Sequence, residues 1–496
     1  MNQILLRPHD SGCAIFITTG PTPYARKTCE LLACMLKVNY GINIQCRKWN
    51  PATSRQRILT MMRFLLFLII CVLAFIDIFG IGLRLGPGLS AKNLLLYIGA
   101  GWLLLQYALG RPFKGELQSI QICFVVLIAY AVITMFIASA IIHYPGYEVS
   151  VSAISLKALL IDPFLFFMVF FYGTRNIVDA RSLLKVLLFA VSIANLFTIA
   201  KARGIIAFGV PAMHSGRVDG VFGDANETGT MIACLLPVYV SVILSAKGFG
   251  RIFWLVCMIL SVVVMFLVVS RGAQVGLLFG TLWAAYLCRR YLSFRVAIKW
   301  ASAILAIASI AALIAGRTYV EGYIGRWTGV YLSSAADVSS GRSDVWIRAF
   351  MLMMNSPVSL ITGFGWDTWS VMGFQIVAHN HYLSLWFELG LVGVVGFLLI
   401  LRQLVTTALT TAAVADASDR NFILAFAFSF LILAIGIFFV LLFTPWPYLW
   451  AYIGLAMRYT VNVRAASRIN LDLQPGKNLS RPIGRLTAPA RSAQTK

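Results

Sequence analysis

Long apolar stretches alternate with short polar ones along most of the chain. A membrane-spanning helix needs about 20 predominantly apolar residues, and many windows approach that length. Long continuous apolar runs differ from the short alternating segments of an outer-membrane barrel. The pattern therefore predicts an all-α, polytopic membrane protein with about twelve spans. The predicted spans are 62–81, 93–110, 120–142, 158–174, 183–200, 229–246, 252–269, 272–288, 298–316, 383–401, 421–443 and 446–460.

The composition supports a membrane protein, because 60% of the residues are hydrophobic and only 12% are charged. A water-soluble surface could not be built from so few charges. The net charge of +23 would suggest a nucleic-acid partner in a soluble protein. Here most lysines and arginines flank apolar runs, so we expect no nucleic acid and interpret them as topology signals and contacts to membrane lipids. The nine cysteines lie in the N-terminal segment or in or beside spans, which predicts no structural disulfide.

The distribution of positive charge predicts the orientation. Cytoplasmic segments are enriched in lysine and arginine, and 30 of the 41 such residues fall on one side when the N-terminus is placed inside. Both termini are then cytoplasmic. Residues 1–60 form an N-terminal extension without a signal-peptide pattern, although translation starting at Met61 or Met62 is an alternative. Residues 61–460 form the membrane domain, and the basic tail 461–496 is predicted to be disordered.

This topology collects three polar features on the outer face. They are the loop 201–228, the tight turn 270–272, and the longest loop, 317–382, between spans nine and ten. Long loops are where function concentrates in membrane and soluble proteins alike. The two halves of the chain share no broken-helix pattern, which disfavours a carrier.

The first outer loop contains an unusually polar run before an apolar helix. Asp224 and Asn226 suit the capping of the sixth span, and a purely structural role explains Asp224 equally well. That role does not explain Arg217, because a positive charge on the outer face does not serve as a topology signal. Arg217 is therefore a candidate for a role beyond structure.

Two further arginines stand at outer-face positions. Arg271 interrupts a run of nearly forty apolar residues, where it either extends to the membrane surface or binds an anion. Arg342 lies near the start of a predicted helix running to about Met354, with Ser340 or Ser343 as its cap. An arginine there opposes the helix dipole unless an anion or Asp344 compensates it. Trp346 fits a helix lying on the membrane surface.

The long loop ends in a histidine-rich segment that continues into span ten. His379 and His381 are two residues apart, but no third metal ligand is within obvious reach, so metal binding is the weakest alternative. A structural role competes with a proton-accepting or hydroxyl-orienting role for His379. Glu388 falls one to two turns into the span, where a carboxylate needs a partner such as an outer-face arginine or histidine.

Two more carboxylates lie within apolar segments. Asp77 and Asp162 are both near predicted outer ends of spans, so we expect helix-end hydrogen bonding for each. The chain contains no Walker loop, dinucleotide fingerprint or zinc-protease motif, which disfavours cytoplasmic nucleotide-driven chemistry.

The order of these motifs resembles the O-antigen ligase and polymerase family, the Wzy/WaaL group that includes exopolysaccharide polymerases. The resemblance extends over roughly residues 205–405. It rests on Ser-Arg-Gly after one span, Ser-Gly-Arg-x-x-x-Trp and Gly-x-Gly in a large outer loop, and His-Asn-x-Tyr-Leu followed by Glu-Leu-Gly-Leu-Val-Gly. Each motif is weak alone, but their order, spacing and side of the membrane are together fairly specific.

The resemblance implies a glycosyltransferase-C-like fold in the bacterial inner membrane and a metal-independent transfer, without cofactor, at the periplasmic face. The donor would be an undecaprenyl-pyrophosphate-linked glycan. Arg271 and Arg342 match the diphosphate-binding arginines of the family, and His379 its essential histidine. Arg217 precedes the family's Gly-Phe-x-Asp-x-Asn element. The remaining candidate substrate-binding residues are Asn380, Asp224, Asn226, Glu388, Trp346 and Tyr382.

Several functions remain open at this point. A polymerase would pass the growing chain to another lipid-linked repeat unit, and we favour it slightly because the chain has twelve predicted spans and no appended soluble domain. A ligase would use lipid A core sugar as the acceptor instead. A flippase and a chain-length regulator are expected partners. A transporter or flippase function is a weaker alternative, because the spans contain almost no ionisable residues near their midpoints.

Overall fold

The computed structural model describes residues 4–9, 12–18, 44–47, 51–81, 84–86, 88–109, 117–206, 213–214, 217–222, 224–291, 306–328, 341–374, 376–442 and 446–472. It divides into two units, Met1–Leu65 and Leu66–Lys496. The first unit contains strands β1 (Ile4–His9), β2 (Gly12–Thr18) and β3 (Ile44–Arg47). In this sheet β2 is central, antiparallel to β1 and parallel to β3.

The second unit is mostly helical. Its strands form two short pairs, β4 (Arg84–Gly86) with β5 (Leu89–Ser90) and β6 (Met213–His214) with β7 (Arg217–Val218). The helices are α1 (Pro51–Phe79, which begins in the first unit), α2 (Ala91–Ala108), α3 (Gln118–Phe136), α4 (Val149–Leu156), α5 (Asp162–Gly173), α6 (Ile177–Ala202), α7 (Ala225–Ser245), α8 (Phe249–Val268), α9 (Arg271–Leu287), α10 (Ala306–Ala315), α11 (Arg317–Thr328), α12 (Arg342–Asn355), α13 (Pro357–Thr362), α14 (His381–Val414), α15 (Ala417–Gly436) and α16 (Trp446–Asp472).

The helices agree with an α-helical membrane protein. Every predicted span overlaps a helix, and eight helices in the described part of the chain are long and apolar enough to cross a membrane. The count of twelve spans stays a prediction. Two π-helical turns, Ile137–Ile142 and Lys157–Ile161, prolong α3 and join α4 to α5. Helix α16 continues to Asp472, past the predicted end of its span, and residues 473–496 of the basic tail lie outside the described residues.

Small residues allow α9 and α15 to approach closely. A Cβ atom added to Gly280 would lie 2.5 Å from the Cα atom of Ile432, and one added to Gly276 would lie 2.9 Å from the Cα atom of Gly436. Such contacts are typical of helix pairs in membranes, where van der Waals packing supplies the association energy. This pairing places the start of α9 beside the end of α15.

Helix α14 is a hairpin of two helical arms, not the single straight span that the apolar pattern predicts. Gly390 has φ of 61°, and the ring of His381 lies 4.9 Å from that of Phe397. In a straight helix residues 16 apart would be separated by about 24 Å. The arms 381–389 and 391–414 therefore fold against each other. Gly393 makes this possible, because a Cβ there would lie 2.9 Å from the carbonyl oxygen of Leu385.

The turn at Gly390 leaves backbone carbonyls at the end of the first arm without helical partners. The amides of Phe364 and Gly365 donate to them, at 2.8 Å to Phe387 and 3.0 Å to Glu388. This contact is so close that a Cβ on Gly390 would meet the carbonyl oxygen of Ile361 at 2.1 Å. The long outer loop is thus fixed by backbone hydrogen bonds to the hairpin.

The loop also has its own apolar core. Helix α12 confirms the predicted helix to about Met354, whereas α11 and α13 were not predicted. Buried side chains of α12, of the chain after α13, of the first arm of α14 and of the segment after α15 pack together. They are Ala349, Met353, Phe364, Trp369, Phe374, Ala378, Phe387 and Leu441. The loop is therefore a packed layer, which explains why its backbone can hold side chains in fixed positions.

The two carboxylates within apolar segments differ from each other. Asp77 lies near the end of α1, as predicted, where it pairs with Lys92 and accepts a hydrogen bond of 2.9 Å from Tyr448. Asp162 is the first residue of α5 but does not lie at the end of the apolar helix, which runs from Val149 through the π-helical turn to Gly173. It bonds instead to Lys157, at 2.7 Å, and to the Tyr97 hydroxyl, at 2.9 Å. A neutralising lysine one turn earlier allows the helix to continue through this position.

Candidate functional site

Three helices begin beside the end of α15, at the segment 437–439. The amide of His381, the first residue of α14, donates to the carbonyl of Ile437 at 2.9 Å. Arg342, the first residue of α12, donates from Nη1 to the carbonyl of Phe439 at 2.9 Å. The start of α9 lies against the same residue, because a Cβ on Gly272 would be 2.6 Å from the Cβ of Phe439. Segments distant in sequence therefore converge on 437–439.

A fourth helix is tied to this group through Ser270. Its hydroxyl accepts from the Ala273 amide at 3.3 Å as the cap of α9, and it donates to the side-chain carbonyl of Asn226 at 3.0 Å. Asp224 caps α7, accepting from the amides of Asn226 and Glu227 at 2.7 and 2.8 Å. The predicted cap at Asp224 is confirmed. Asn226 is not a cap but the link between α7 and α9.

The beginnings of these helices create a region suited to anions. The first amides of a helix lack partners within it, and the helix dipole places positive potential there. The N-cap of α12 is Gly341, with φ of 76°, and not Ser343 as one alternative predicted; Ser340, the other predicted cap, lies outside the described residues. A glycine cap leaves the amides of that first turn without a side-chain acceptor at the cap.

Arg271 and Arg342 occupy equivalent places in this arrangement. Each is half-buried and is the first residue of its helix. Arg342 bonds Phe439 itself, and Arg271 directly precedes Gly272, which lies against Phe439. The two residues were predicted to act together, and the structure brings their helix starts together.

His379 and Asn380 immediately precede the first arm of α14. Asn380 is its N-cap and accepts from the Leu383 amide at 3.0 Å, with 4% of its surface exposed. His379 has φ of 46°, a left-handed conformation that costs a non-glycine residue free energy. Val269 has φ of 45° at the matching position before the cap of α9. Such costs persist only where surrounding contacts fix the backbone, so the histidine is held in place.

Two predicted substrate-binding residues have their polar atoms engaged within the protein. The Tyr382 hydroxyl donates to the carbonyl of Ala434 at 2.6 Å, and the Trp346 indole donates to that of Ala378 at 2.6 Å. Trp346 also packs edge-on against Phe438 at 5.7 Å. Both side chains therefore hold helices against 437–439, which is a positioning role.

Among the side chains that the structure describes, Glu388 has Asp367 as its neighbour and not the predicted arginine or histidine. It is buried, and it accepts a hydrogen bond from the backbone amide of Asp367, whose carboxyl group is also close. The Asp367 carboxyl accepts from Ser152 and Ser155, and its pKa is raised by burial. The Tyr147 hydroxyl donates to the carbonyl of Trp366, the residue before Asp367, at 2.6 Å.

Sequence reasoning missed Asp367 and Tyr147. Nothing in the local pattern indicates them, since Tyr147 meets Trp366 across more than two hundred residues. The one nearby sequence signal is the Gly-x-Gly motif formed by Gly363 and Gly365, which supported the family resemblance and did not indicate a structural contact.

Other predicted features are only partly placed. Arg217 lies in β7, paired with His214 of β6, and its side chain is outside the described residues. Helix α11 is attached to the first turn of α9, because the Trp327 indole donates to Gln274 at 2.7 Å. In the part of the chain that the structure describes, no group of three or more His, Cys, Asp or Glu side chains is arranged to hold a metal ion.

Comparisons with known proteins add no assignment. The sequence matches no protein-family model, and no curated protein is significantly similar to it. The resemblance to O-antigen ligases and polymerases therefore rests on the motifs and on where they lie.

Proposed function

We propose that the protein transfers a glycan from an undecaprenyl-pyrophosphate carrier to a sugar hydroxyl at the periplasmic face of the bacterial inner membrane. The observation that carries the proposal is the convergence on Phe439 of the two helix starts that contain Arg271 and Arg342. A diphosphate leaving group gains negative charge in the transition state. Guanidinium groups and helix amides stabilise such charge.

The acceptor hydroxyl needs a base or an orienting acceptor, and His379 is the candidate. Histidine has an ordinary pKa close to neutral, which suits proton transfer at physiological pH. The left-handed backbone at His379 and the capping role of Asn380 fix His379 two residues before His381, whose amide bonds Ile437. Direct attack of the hydroxyl on the anomeric carbon would invert its configuration.

Polymerisation of lipid-linked repeat units into exopolysaccharide or O-antigen is the reaction we favour, with ligation to lipid A core as the second candidate. The two share the donor site and differ only in the acceptor. Loss of His379 leaves single lipid-linked repeats in the first case. In the second it leaves lipid-linked polymer that is not attached to core.

The test is transfer by purified protein from an undecaprenyl-pyrophosphate glycan, analysed by the size and linkage of the products. We expect longer lipid-linked glycans, with inverted configuration at each new linkage and no loss of rate in the presence of a chelator. Retained configuration would contradict direct attack, and loss of activity on chelation would contradict the role of arginines in place of a metal ion. Movement of an intact lipid-linked glycan across the membrane without a new bond would support a flippase instead.

A further inference from the structure

Three arginines gather at the end of the helical bundle opposite the 437–439 segment. Arg289 and Arg290 lie in a 3-10 turn, Arg289–Tyr291, directly after α9, and Arg420 lies in the first turn of α15. The guanidinium carbons of Arg290 and Arg420 are 4.7 and 5.6 Å from the centre of the Tyr291 ring. That of Arg289 is 4.4 Å from the centre of the Tyr286 ring. We call these five residues the arginine–tyrosine cluster.

The cluster has no acidic partner among the described residues. The nearby carboxylates are used elsewhere: Asp416 caps α15 by accepting from the Asp419 amide, and Asp419 pairs with Arg181 at 2.9 Å. The guanidinium groups of Arg290 and Arg420 contact the same tyrosine ring, and their like charges repel one another unless an anion neutralises them. Cation–π contacts with tyrosine hold the guanidinium groups in place but do not neutralise them.

Much of the hydrogen-bonding capacity of these arginines is still available. Arg420 uses Nε and Nη2 to donate to the carbonyls of Ala412 and Ala415, at 3.1 and 2.8 Å. Arg289 uses Nη1 to donate to the carbonyl of Tyr286 at 3.1 Å. A guanidinium group carries five N–H donors. Within the described part of the chain, the Nη1 group of Arg420 has no acceptor, and it is fixed by the bonds on either side.

The surface of α9 next to the cluster is apolar and exposed. Its outward side chains form a continuous strip that ends at Tyr286, consisting of Leu278, Phe279, Leu282 and Trp283. Hydrocarbon chains pack on such a strip, while a phosphate group one or two turns further along the helix reaches the arginines. A free phosphate ion would use the arginines and leave the strip unused.

We propose that the arginine–tyrosine cluster binds the headgroup of an anionic phospholipid while the acyl chains lie along α9. A headgroup with two phosphates binds more tightly than a headgroup with one. The charge distribution predicts that this end of the bundle faces the cytoplasm, where anionic headgroups meet basic residues. The site is separate from the proposed glycosyl transfer and does not depend on it.

Native mass spectrometry of the purified full-length chain tests the site by titration with cardiolipin, phosphatidylglycerol, phosphatidylethanolamine or inorganic phosphate. We expect retained adducts in the order cardiolipin, phosphatidylglycerol, phosphatidylethanolamine. The double variant Arg290→Gln/Arg420→Gln should weaken cardiolipin binding about tenfold or more. The melting temperature of this variant in detergent, measured in parallel, tests whether the variant is folded.

The matched control is Arg251→Gln/Arg468→Gln, which removes the same charge from two exposed arginines outside the cluster on the same predicted side. Cardiolipin affinity should be unchanged in this variant. An equal loss in both double variants would show attraction by net charge alone and overturn the site. Competition by inorganic phosphate at the concentration of the lipid would overturn the choice of a lipid ligand.

Discussion

At the scale of single residues, Arg342 is the most direct test of the candidate site. Its side chain donates to Phe439, whereas Arg348, two turns further along the same helix, is exposed and donates to the Gly373 carbonyl at 3.3 Å. If the protein transfers glycan as proposed, we expect Arg342→Gln to lower the rate about 100-fold, because a preorganised cation that would stabilise the leaving group is lost. Arg348→Gln makes the same charge change and should retain most of the activity in the same assay.

Asp367 predicts a specific dependence of stability on pH. Burial raises the pKa of its carboxyl group, so the folded protein binds the proton more tightly than the unfolded chain does. Ionisation therefore opposes folding increasingly as pH rises from the ordinary carboxyl pKa to the raised one, and by a constant amount above it. We expect Asp367→Asn to raise the melting temperature at neutral pH, with the gain shrinking on acidification.

Thermal unfolding in detergent over a series of pH values provides this measurement. The exposed aspartate of α12, Asp344, serves as the control when changed to asparagine. A gain for Asp367→Asn that stays constant across the acid range would mean that the carboxylate is not the cause.

At the scale of elements, the hairpin in α14 depends on glycine. Gly390 has a left-handed backbone, and an added Cβ would lie 2.1 Å from the Ile361 carbonyl oxygen. Both effects act against Gly390→Ala, so we expect a loss of about 3 kcal/mol or more in unfolding free energy. Gly101 in α2 has no atom within 4 Å of its Cβ position, so Gly101→Ala should be neutral or slightly stabilising. Unfolding curves of the two variants compare these outcomes.

The elements also show what could be predicted from sequence. Apolar windows located the helices well, since burial in lipid requires long apolar runs whatever the tertiary fold. The same windows could not detect the hairpin, because Gly390 lies within an apolar run and its φ is imposed by contacts with Ile361 and Gly363. They also placed Asp162 at a helix end, because its neutralisation by Lys157 is invisible to a hydrophobicity average.

The sequence was enough to choose candidate residues from their unusual positions. It could not identify the residues that they contact. Arg342 was selected because a positive charge is disfavoured at that place, and this holds independently of tertiary structure. The contact that explains it, the Phe439 carbonyl, lies almost a hundred residues further on. Trp346 and Tyr382 were assigned to substrate, yet their polar atoms bond backbone carbonyls of the protein itself.

At the scale of the whole molecule, the orientation of the bundle can be tested with two cysteines. Ile205 is 74% exposed after α6, and Val414 is 46% exposed at the end of α14. Charge counting places them on opposite faces. We expect a membrane-impermeant maleimide to label Ile205→Cys on intact cells and Val414→Cys only after permeabilisation. Peptide mass spectrometry separates these sites from the native cysteines, and labelling in the reverse pattern would invert the topology.

The buried charges of the bundle have a consequence for its biogenesis. Asp162 and Lys157 belong to one continuous apolar helix, so this helix is already electrically neutral when it leaves the insertion machinery. Asp77 has its partners on later helices, Lys92 on α2 and Tyr448 on α16. The first span therefore carries an uncompensated carboxyl group until α2 arrives, which makes insertion of α1 and α2 as a pair less costly than insertion one at a time.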